Sequence, residues 1–462
     1  MSAPLSRPLA RRAPGRTASP APTVEQPVHA LVRWTFLLLV ASIPFEFPDR
    51  SFPIEIPTLT ALIFLVATPF ALRACYGRRP AALLCFAAWL YLFCVVALLT
   101  GRDHIATDLV TPDYAAQVMK LFLQLLEAVL VFWAGYNLLR SPARARAALL
   151  TLAVASIARA MLPVLGIART VHVQWGGAVR VSALAQNANN SSMVLAAGLV
   201  ALIGLQYGLE RPTVRHRWLT WPLIALLVGS VVDTGSRGGL VGLAGGLIVF
   251  ALGGPGRRWL RVRNALAVAV AMGLLVFATY TSDVMRSRFE ETLENGASAG
   301  RERIYPALVE MVRERPVTGW GPINNKYELG IRLDERIRRR RDAHNLILEV
   351  MSSTGLLGVV PFLAGLGLCF RAAWRARHRA HGMVPAALGA VLLINNMSGN
   401  WIASKLLWLV LAYGLASAGY AASAVAAGAP APAPVGTPPP RWPNAAPTRL
   451  DRPTEPARSP RR

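Results

Sequence analysis

The sequence has little charge and little cysteine for its length. Asp, Glu, Lys and Arg make up 16% of its 462 residues, whereas hydrophobic residues make up 54%. So small a charged fraction does not fit several soluble domains. All of the cysteines lie in or beside apolar runs, so neither a disulfide framework nor a thiolate metal site is predicted. They are Cys75, Cys85, Cys94 and Cys369.

Long apolar runs occupy most of the chain. About twelve of them approach the ~20 residues that a helix needs to cross ~30 Å of hydrocarbon. They lack the period-two alternation of barrel strands, and a helix satisfies its own backbone in lipid. We therefore predict an all-α polytopic membrane protein. The approximate cores are 30–47, 52–72, 80–100, 114–139, 147–168, 190–209, 218–233, 238–253, 264–281, 345–370, 383–397 and 406–427.

The basic residues are concentrated in particular segments between the apolar runs. Arg clusters lie in both tails and in every second connection, and basic connections stay cytoplasmic. We therefore expect both termini in the cytoplasm and a multi-pass chain in the inner membrane. The formal net charge of +25 then reflects membrane topology and contact with lipid rather than a nucleic-acid partner.

The runs divide the chain into five parts. Residues 1–28 and 428–462 are Pro/Ala/Arg-rich tails, for which disorder is expected. Residues 29–282 hold nine predicted membrane helices, and residues 345–427 hold three more. Between them, residues 283–344 form one large polar loop, expected on the periplasmic side. Connections of this length are usually functional or structured.

The large loop has predicted helical content. In Arg301 to Arg315, the apolar residues Ile304 and Leu308, followed by Met311 or Val312, recur at helical spacing. A second charged stretch, Tyr327 to Arg341, is a candidate for a helix at the membrane surface. It ends in four arginines, Arg338 to Arg341, interpreted either as a solvated charge run or as a contact for lipid phosphate.

Four short motifs occur in this part of the chain. His344-Asn345 is followed by nine residues and then by Gly355-Leu-Leu-Gly358. The others are Ser236-Arg237-Gly238-Gly239, Gly300-Arg301-Glu-Arg-Ile-Tyr305 and Pro316-Val-Thr-Gly319-Trp-Gly321, with a looser match in Arg180 to Asn190. In their order, these motifs resemble the O-antigen ligase and polymerase superfamily. Asn345, Gly355 and Gly358 support the motif rather than carry the chemistry.

The resemblance implies a GT-C-like glycosyltransferase acting at the periplasmic face. Such a protein moves a glycan from undecaprenyl diphosphate to an acceptor, here expected to be the lipid A-core oligosaccharide. Arg237 and Arg301 match the catalytic arginines and would stabilise the leaving diphosphate. His344 would be the general base for the acceptor hydroxyl, kept neutral by neighbouring arginines. Direct attack would invert the anomeric configuration.

Further basic residues are candidates for binding the diphosphate. They are Arg180, Arg288, Lys120 and Arg159. Lys120 and Arg159 lie inside predicted spans, where charge is costly, so a role in helix packing is equally open for them. Glu127, two turns from Lys120 on the same helix face, is interpreted as a packing partner. Lys405 is interpreted as a snorkelling anchor at the end of the last span.

A covalent glycosyl-enzyme would instead need a carboxylate beside the sugar. Glu290, Glu291, Glu294 and Asp342 are candidates, interpreted as solvated charges or partners for arginine. No outer loop has paired acids at metal-ligand spacing, so we predict a reaction without metal or cofactor. Three other functions stay open: a polysaccharide polymerase, a protein O-oligosaccharyltransferase, and, from a different class, a lipid or solute transporter.

Overall fold

The structure is a computed structural model, and it describes most of the chain between the two tails. The described residues are 28–46, 54–101, 113–167, 169–173, 179–184, 186–209, 213, 216–254, 258–295, 300–334 and 340–421. Only the backbone is described for the two strands at 169–183 and for a few helix positions. Apart from Val28, the predicted tails lie outside these ranges.

Sixteen α-helices and one pair of strands make up the described part. The helices are α1 Ala30–Ser42, α2 Ile56–Ala67, α3 Leu72–Tyr76, α4 Ala81–Thr100, α5 Tyr114–Leu139, α6 Pro142–Val164, α7 Ala188–Ile203, α8 Trp221–Asp233, α9 Arg237–Leu252, α10 Arg258–Thr281, α11 Asp283–Asn295, α12 Arg301–Glu314, α13 Asn324–Arg332, α14 Leu346–Arg375, α15 Val384–Asn396 and α16 Lys405–Ser417. Strands β1 Arg169–Val173 and β2 Val179–Ala183 pair antiparallel, with Arg169 opposite Ala183. The fold is thus an all-α polytopic membrane protein with one short hairpin.

The helical segments coincide with the predicted membrane runs. Seven are long and apolar enough to cross a membrane: Ile56–Tyr76, Ala81–Thr100, Tyr114–Leu139, Pro142–Val164, Ala188–Gly208, Val262–Thr281 and Leu346–His378. Five shorter apolar helices fall at the other five predicted positions: Ala30–Phe45, Trp218–Asp233, Arg237–Leu252, Val384–Asn396 and Lys405–Ser417. Run length alone therefore located the helices of the bundle.

Aromatic packing joins four helices at the centre of the bundle. Helix α14 packs on α4, and α16 packs on α5. Phe86 of α4 meets Phe132 and Trp408 edge to face, with ring centroids 5.2 and 4.9 Å apart. Trp89 and Phe362 lie beside them at 5.0 Å. Such ring pairs stabilise a core beyond their buried area.

A second contact brings α9 close to α15. The glycines of α9 face α15: a Cβ on Gly242 would lie 2.1 Å from the side-chain nitrogen of Asn395, and one on Gly246 would lie 2.5 Å from Val391. Small residues allow this approach between membrane helices. The contact matters for function because α9 begins and α15 ends at the candidate site described below.

The large loop forms a small folded unit against α14. Helices α12 and α13 enclose a separate apolar cluster of Ile304, Leu308, Met311, Leu329, Leu333 and Ala343. The helix predicted over Arg301 to Arg315 is confirmed as α12. The second predicted stretch is wrong in its bounds: α13 runs from Asn324 to Arg332, Asp334 follows with φ +51°, and residues 335–339 lie outside the described ranges. Helix α11 was not predicted at all.

Charged contacts hold this unit together. Trp320 lies between two guanidinium groups, with Arg315 at 4.3 Å and Arg332 at 5.2 Å from its rings. Arg332 also pairs with Glu314 and, at 2.7 Å, with Glu328. The loop therefore has a defined position over one end of the bundle.

Candidate active site

His344 lies where the polar loop meets α14. Its backbone has φ +49°, a left-handed conformation that costs energy in a residue with a side chain. Neighbouring contacts stabilise it: Tyr305 Oη donates to the His344 carbonyl oxygen at 3.3 Å, and the Ala343 N–H donates to Glu349 Oε2 at 3.3 Å. Asn345 then caps α14 with its side-chain oxygen. The imidazole is thus presented by a rigid backbone.

The surroundings of His344 favour its neutral form. Burial is the largest cause that lowers the pKa of His344 from its ordinary value, and the positive charges of Arg341 and Arg301 lower it further. Asp342 and Glu349 act in the opposite direction without outweighing these effects. The direction agrees with the expectation from neighbouring arginines, but burial contributes more. A neutral imidazole can accept a proton.

A network of charged side chains stabilises the segment that carries His344. Lys326 contacts Asp342 and has its Nζ 3.7 Å from Glu349 Oε1, to which Asn325 also donates at 3.2 Å. Burial by itself would lower the pKa of Lys326, but Glu349 and Asp342 outweigh it and the pKa is raised. Burial would likewise raise the pKa of Asp342, and Lys326 reverses that shift. Both groups therefore keep their charges.

Arg301 is the first residue of α12 and points to the end of α15. Its Nη2 donates to the carbonyl oxygen of Ser398 at 2.7 Å. Its Nε is buried and finds no acceptor among the described residues. A buried donor without an acceptor carries a desolvation cost. A substrate oxygen would remove that cost, so this guanidinium is suited to an anionic ligand.

Arg237 lies at the start of the helix that packs on the same segment. It is the first residue of α9, which Ser236 caps with its hydroxyl. A Cβ on Gly238 would lie 2.3 Å from Ser398 Oγ. The first turn of α9 thus packs on the residue whose carbonyl binds Arg301.

Residues at the end of α15 join these groups, and sequence reasoning missed them. The Met397 carbonyl accepts from Tyr305 Oη at 3.0 Å and from Asn345 Nδ2 at 3.4 Å. Together with Ser398, it connects α12, α9 and the start of α14. The run Asn395-Asn396-Met397-Ser398-Gly399-Asn400, polar at the end of an apolar helix, was the signal that could have found it.

Two of the sequence motifs bind each other directly. Gly355 kinks α14 with φ +59° and ψ −157°, a backbone conformation that essentially only glycine adopts. The N–H groups of Leu356 and Leu357 donate to the carbonyls of Pro316 and Val317 at 2.8 and 3.1 Å. A Cβ on Gly355 would lie 2.2 Å from the Val317 oxygen. The glycine of one motif is therefore required by the proline segment of the other.

The four candidates for diphosphate binding differ in position. The side chains of Arg180 and Arg288 lie outside the described residues. Lys120 is exposed on α5. Arg159 is 2% exposed and donates to Gln186 Oε1 at 2.7 Å and to the Ser191 hydroxyl. These contacts join α6 to α7, so the packing alternative has structural support for Arg159. Its role with diphosphate stays a prediction, as do those of the other three.

The buried carboxylate of Glu127 does not pair with Lys120, the basic residue on the same helix face. Glu127 forms its ion pair with Lys405, at 2.9 Å, rather than with Lys120. The snorkelling interpretation of Lys405 is wrong, because this residue is 6% exposed and its ammonium faces the bundle interior. A charge buried within a membrane span requires a partner, and the partner of Glu127 comes from another helix.

Two of the candidate carboxylates, Glu290 and Asp342, pair with basic side chains. Glu290 pairs with Arg286 at 3.1 Å, and Asp342 pairs with Lys326. Within the described ranges, no three His, Cys, Asp or Glu side chains gather to hold a metal ion. Independence from a metal remains a prediction.

These observations define a class of protein: a polytopic α-helical membrane protein with a histidine and arginine site under a folded loop. Residues 222–363 match the model of a family described as O-antigen ligase. An O-antigen ligase of Pseudomonas aeruginosa is 32% identical over 161 residues, which are 34% of this chain and 35% of the relative. Residues 222–363 are thus similar to the O-antigen ligase family. The alignment spans about a third of that relative, and the matched family region includes Arg237, Arg301 and His344.

Proposed function

We propose that this protein transfers a glycan from undecaprenyl diphosphate to the lipid A-core oligosaccharide at the periplasmic face of the inner membrane. The observation that carries the proposal is the convergence of the first turns of α9 and α12 with the start of α14 on Met397 and Ser398. The match of residues 222–363 to the O-antigen ligase family model supports the same reaction class. The proposal includes the division of the chain into five parts and the location of both termini in the cytoplasm.

In the proposed reaction, the acceptor hydroxyl attacks the anomeric carbon of the donor. His344 takes the hydroxyl proton as the new carbon–oxygen bond forms. The bond between the anomeric carbon and the diphosphate oxygen breaks, and its electron pair leaves with undecaprenyl diphosphate. Arg301 and Arg237 stabilise that developing charge. The imidazolium then returns its proton to solvent or to the leaving group, and the anomeric configuration is inverted.

Transfer in cells is the direct test. A strain lacking its own ligase would receive this chain, and glycan attached to lipid A-core would be measured by electrophoresis and mass spectrometry. We expect attachment with the wild-type chain and none with His344→Ala or Arg301→Ala at equal membrane levels. Free polymer of increased length without attachment would identify a polymerase. Glycosylated protein would identify a protein transferase, and activity retained by both variants would refute the proposed roles.

A further inference from the structure

A polar cavity of about 190 Å³ is lined in part by the connection between α15 and α16. Its lining includes Glu46, Glu55, Gln124, Asn190, Asn400 and Trp401. We propose that this cavity binds one uncharged sugar ring of the glycan substrate. The inference rests on the proposed function, because it gives that reaction a subsite for sugar recognition.

The cavity is lined by residues that closely follow Met397 and Ser398 along the chain. Asn400 and Trp401 follow Ser398 in the connection between α15 and α16. The Trp401 N–H donates to Asn396 Oδ1 at 3.1 Å, which holds this connection against the end of α15. A ring bound in the cavity would therefore lie beside the segment that orients Arg301.

The charge in the cavity favours a neutral ligand over a phosphate. Among its lining residues, Lys405 is the basic one, and its ammonium is already paired with Glu127 at 2.9 Å. Glu46 and Glu55 are the acidic residues of the lining. A diphosphate would meet like charge there, and this repulsion selects against it.

The remaining side chains suit a ring that carries hydroxyl groups. Carboxylate and amide oxygens accept hydrogen bonds from hydroxyls, and amide nitrogens donate to them. Asn400 Oδ1 is buried and accepts no hydrogen bond from any described residue, so an acceptor is available. Trp401 offers an apolar face to the C–H face of a sugar.

The size of the cavity admits one sugar ring. On this measure of volume a single water needs about 10–15 Å³. The cavity, at about 190 Å³, therefore has room for a ligand much larger than one water, such as a pyranose ring with its hydroxyls. The rest of the glycan would extend through the open side of the cavity.

Binding can be measured without transfer. The full-length protein in nanodiscs would be titrated with fluorinated methyl glycosides of glucose and N-acetylglucosamine, observed by ¹⁹F NMR. We expect line broadening with the wild type that Trp401→Ala and Gln124→Ala each weaken by about tenfold in affinity, the loss of roughly one good contact. Trp34→Ala is the matched control, because Trp34 is 61% exposed on α1. Excess inorganic diphosphate should leave the broadening unchanged.

Three results would overturn the subsite. They are no broadening with the wild type, affinities of Trp401→Ala and Gln124→Ala equal to that of the wild type, or displacement of the glycosides by diphosphate. Gln124→Ala guards against a folding defect, since it removes a smaller side chain than Trp401→Ala does. If the wild type binds the glycosides but transfers no glycan, the proposed function fails and the subsite stands.

Transfer kinetics then show whether the cavity binds a sugar of the donor glycan or of the acceptor. The same variants should raise KM about tenfold and leave kcat within threefold, because the ring lies away from the reacting bond. A raised KM for the donor alone assigns the cavity to the donor glycan, and a raised KM for the acceptor alone assigns it to the acceptor. An unchanged KM for both would refute a role in catalysis.

Discussion

Arg301 Nη2 donates to the Ser398 carbonyl oxygen at 2.7 Å, across 97 residues of chain. This bond fixes one arm of the guanidinium, while the Nε stays buried without an acceptor among the described residues. An arginine held in this way is oriented before any substrate binds, so its charge need not reorganise during the reaction.

Arg301→Lys should therefore reduce kcat strongly although it keeps the charge. Lysine lacks the planar fork and the Nε donor. We expect a loss of about 100-fold, the scale of one transition-state donor. Initial rates of reconstituted transfer would measure it. Arg303→Lys is the control, because Arg303 binds the Leu333 carbonyl and should stay within threefold. Similar rates for the two variants would contradict the role of Arg301.

The pH dependence of transfer should report on His344. The base must be neutral, and its pKa is lowered, so the rate should fall only as pH drops below the ordinary imidazole value of 6.5. Asp342 raises this pKa, so Asp342→Asn should move the acid limb to lower pH. Arg341 lowers it, so Arg341→Gln should move the limb to higher pH. Profiles of kcat/KM against pH that coincide for all three proteins would exclude His344 as the base.

Gly355→Ala should destabilise the protein. A side chain at φ +59° and ψ −157° is strained, and its Cβ would clash with the Val317 carbonyl. We expect a loss of at least about 2 kcal/mol in unfolding free energy, together with lost activity. Gly367→Ala, on the same helix and with no heavy atom within 4 Å of the new Cβ, should be close to neutral. Thermal unfolding in detergent compares them, and equal melting temperatures would show that the kink is dispensable.

Lys405→Met should also destabilise the bundle, because it leaves the Glu127 carboxylate buried without its partner. The expected loss is about 3 kcal/mol. Adding Glu127→Gln removes the unpaired charge and should recover part of it. A double-mutant cycle of unfolding free energies measures the coupling. Additive effects would mean that the 2.9 Å pair does not contribute to stability.

The sequence by itself determined the helices and much of the site. Apolar runs predicted the positions of the helices, and seven of the described helices are long enough to cover the hydrocarbon thickness. Helical spacing of Ile304, Leu308 and Met311 predicted α12, whose buried face has these residues. The spacing from His344 to Gly355 singled out two residues of the same segment: His344 directly precedes the cap of α14, and Gly355 forms the kink in α14. These features are local, so a local pattern was enough.

Only the tertiary structure decided which distant groups meet. Glu127 and Lys405 are 278 residues apart, and no periodicity relates them. The carbonyls of Met397 and Ser398 bind Tyr305, Asn345 and Arg301, but every residue has a carbonyl, so such acceptors leave no mark in the sequence. The polar cavity likewise exists only because α1, α2, α5, α7 and the α15–α16 connection meet at one end of the bundle.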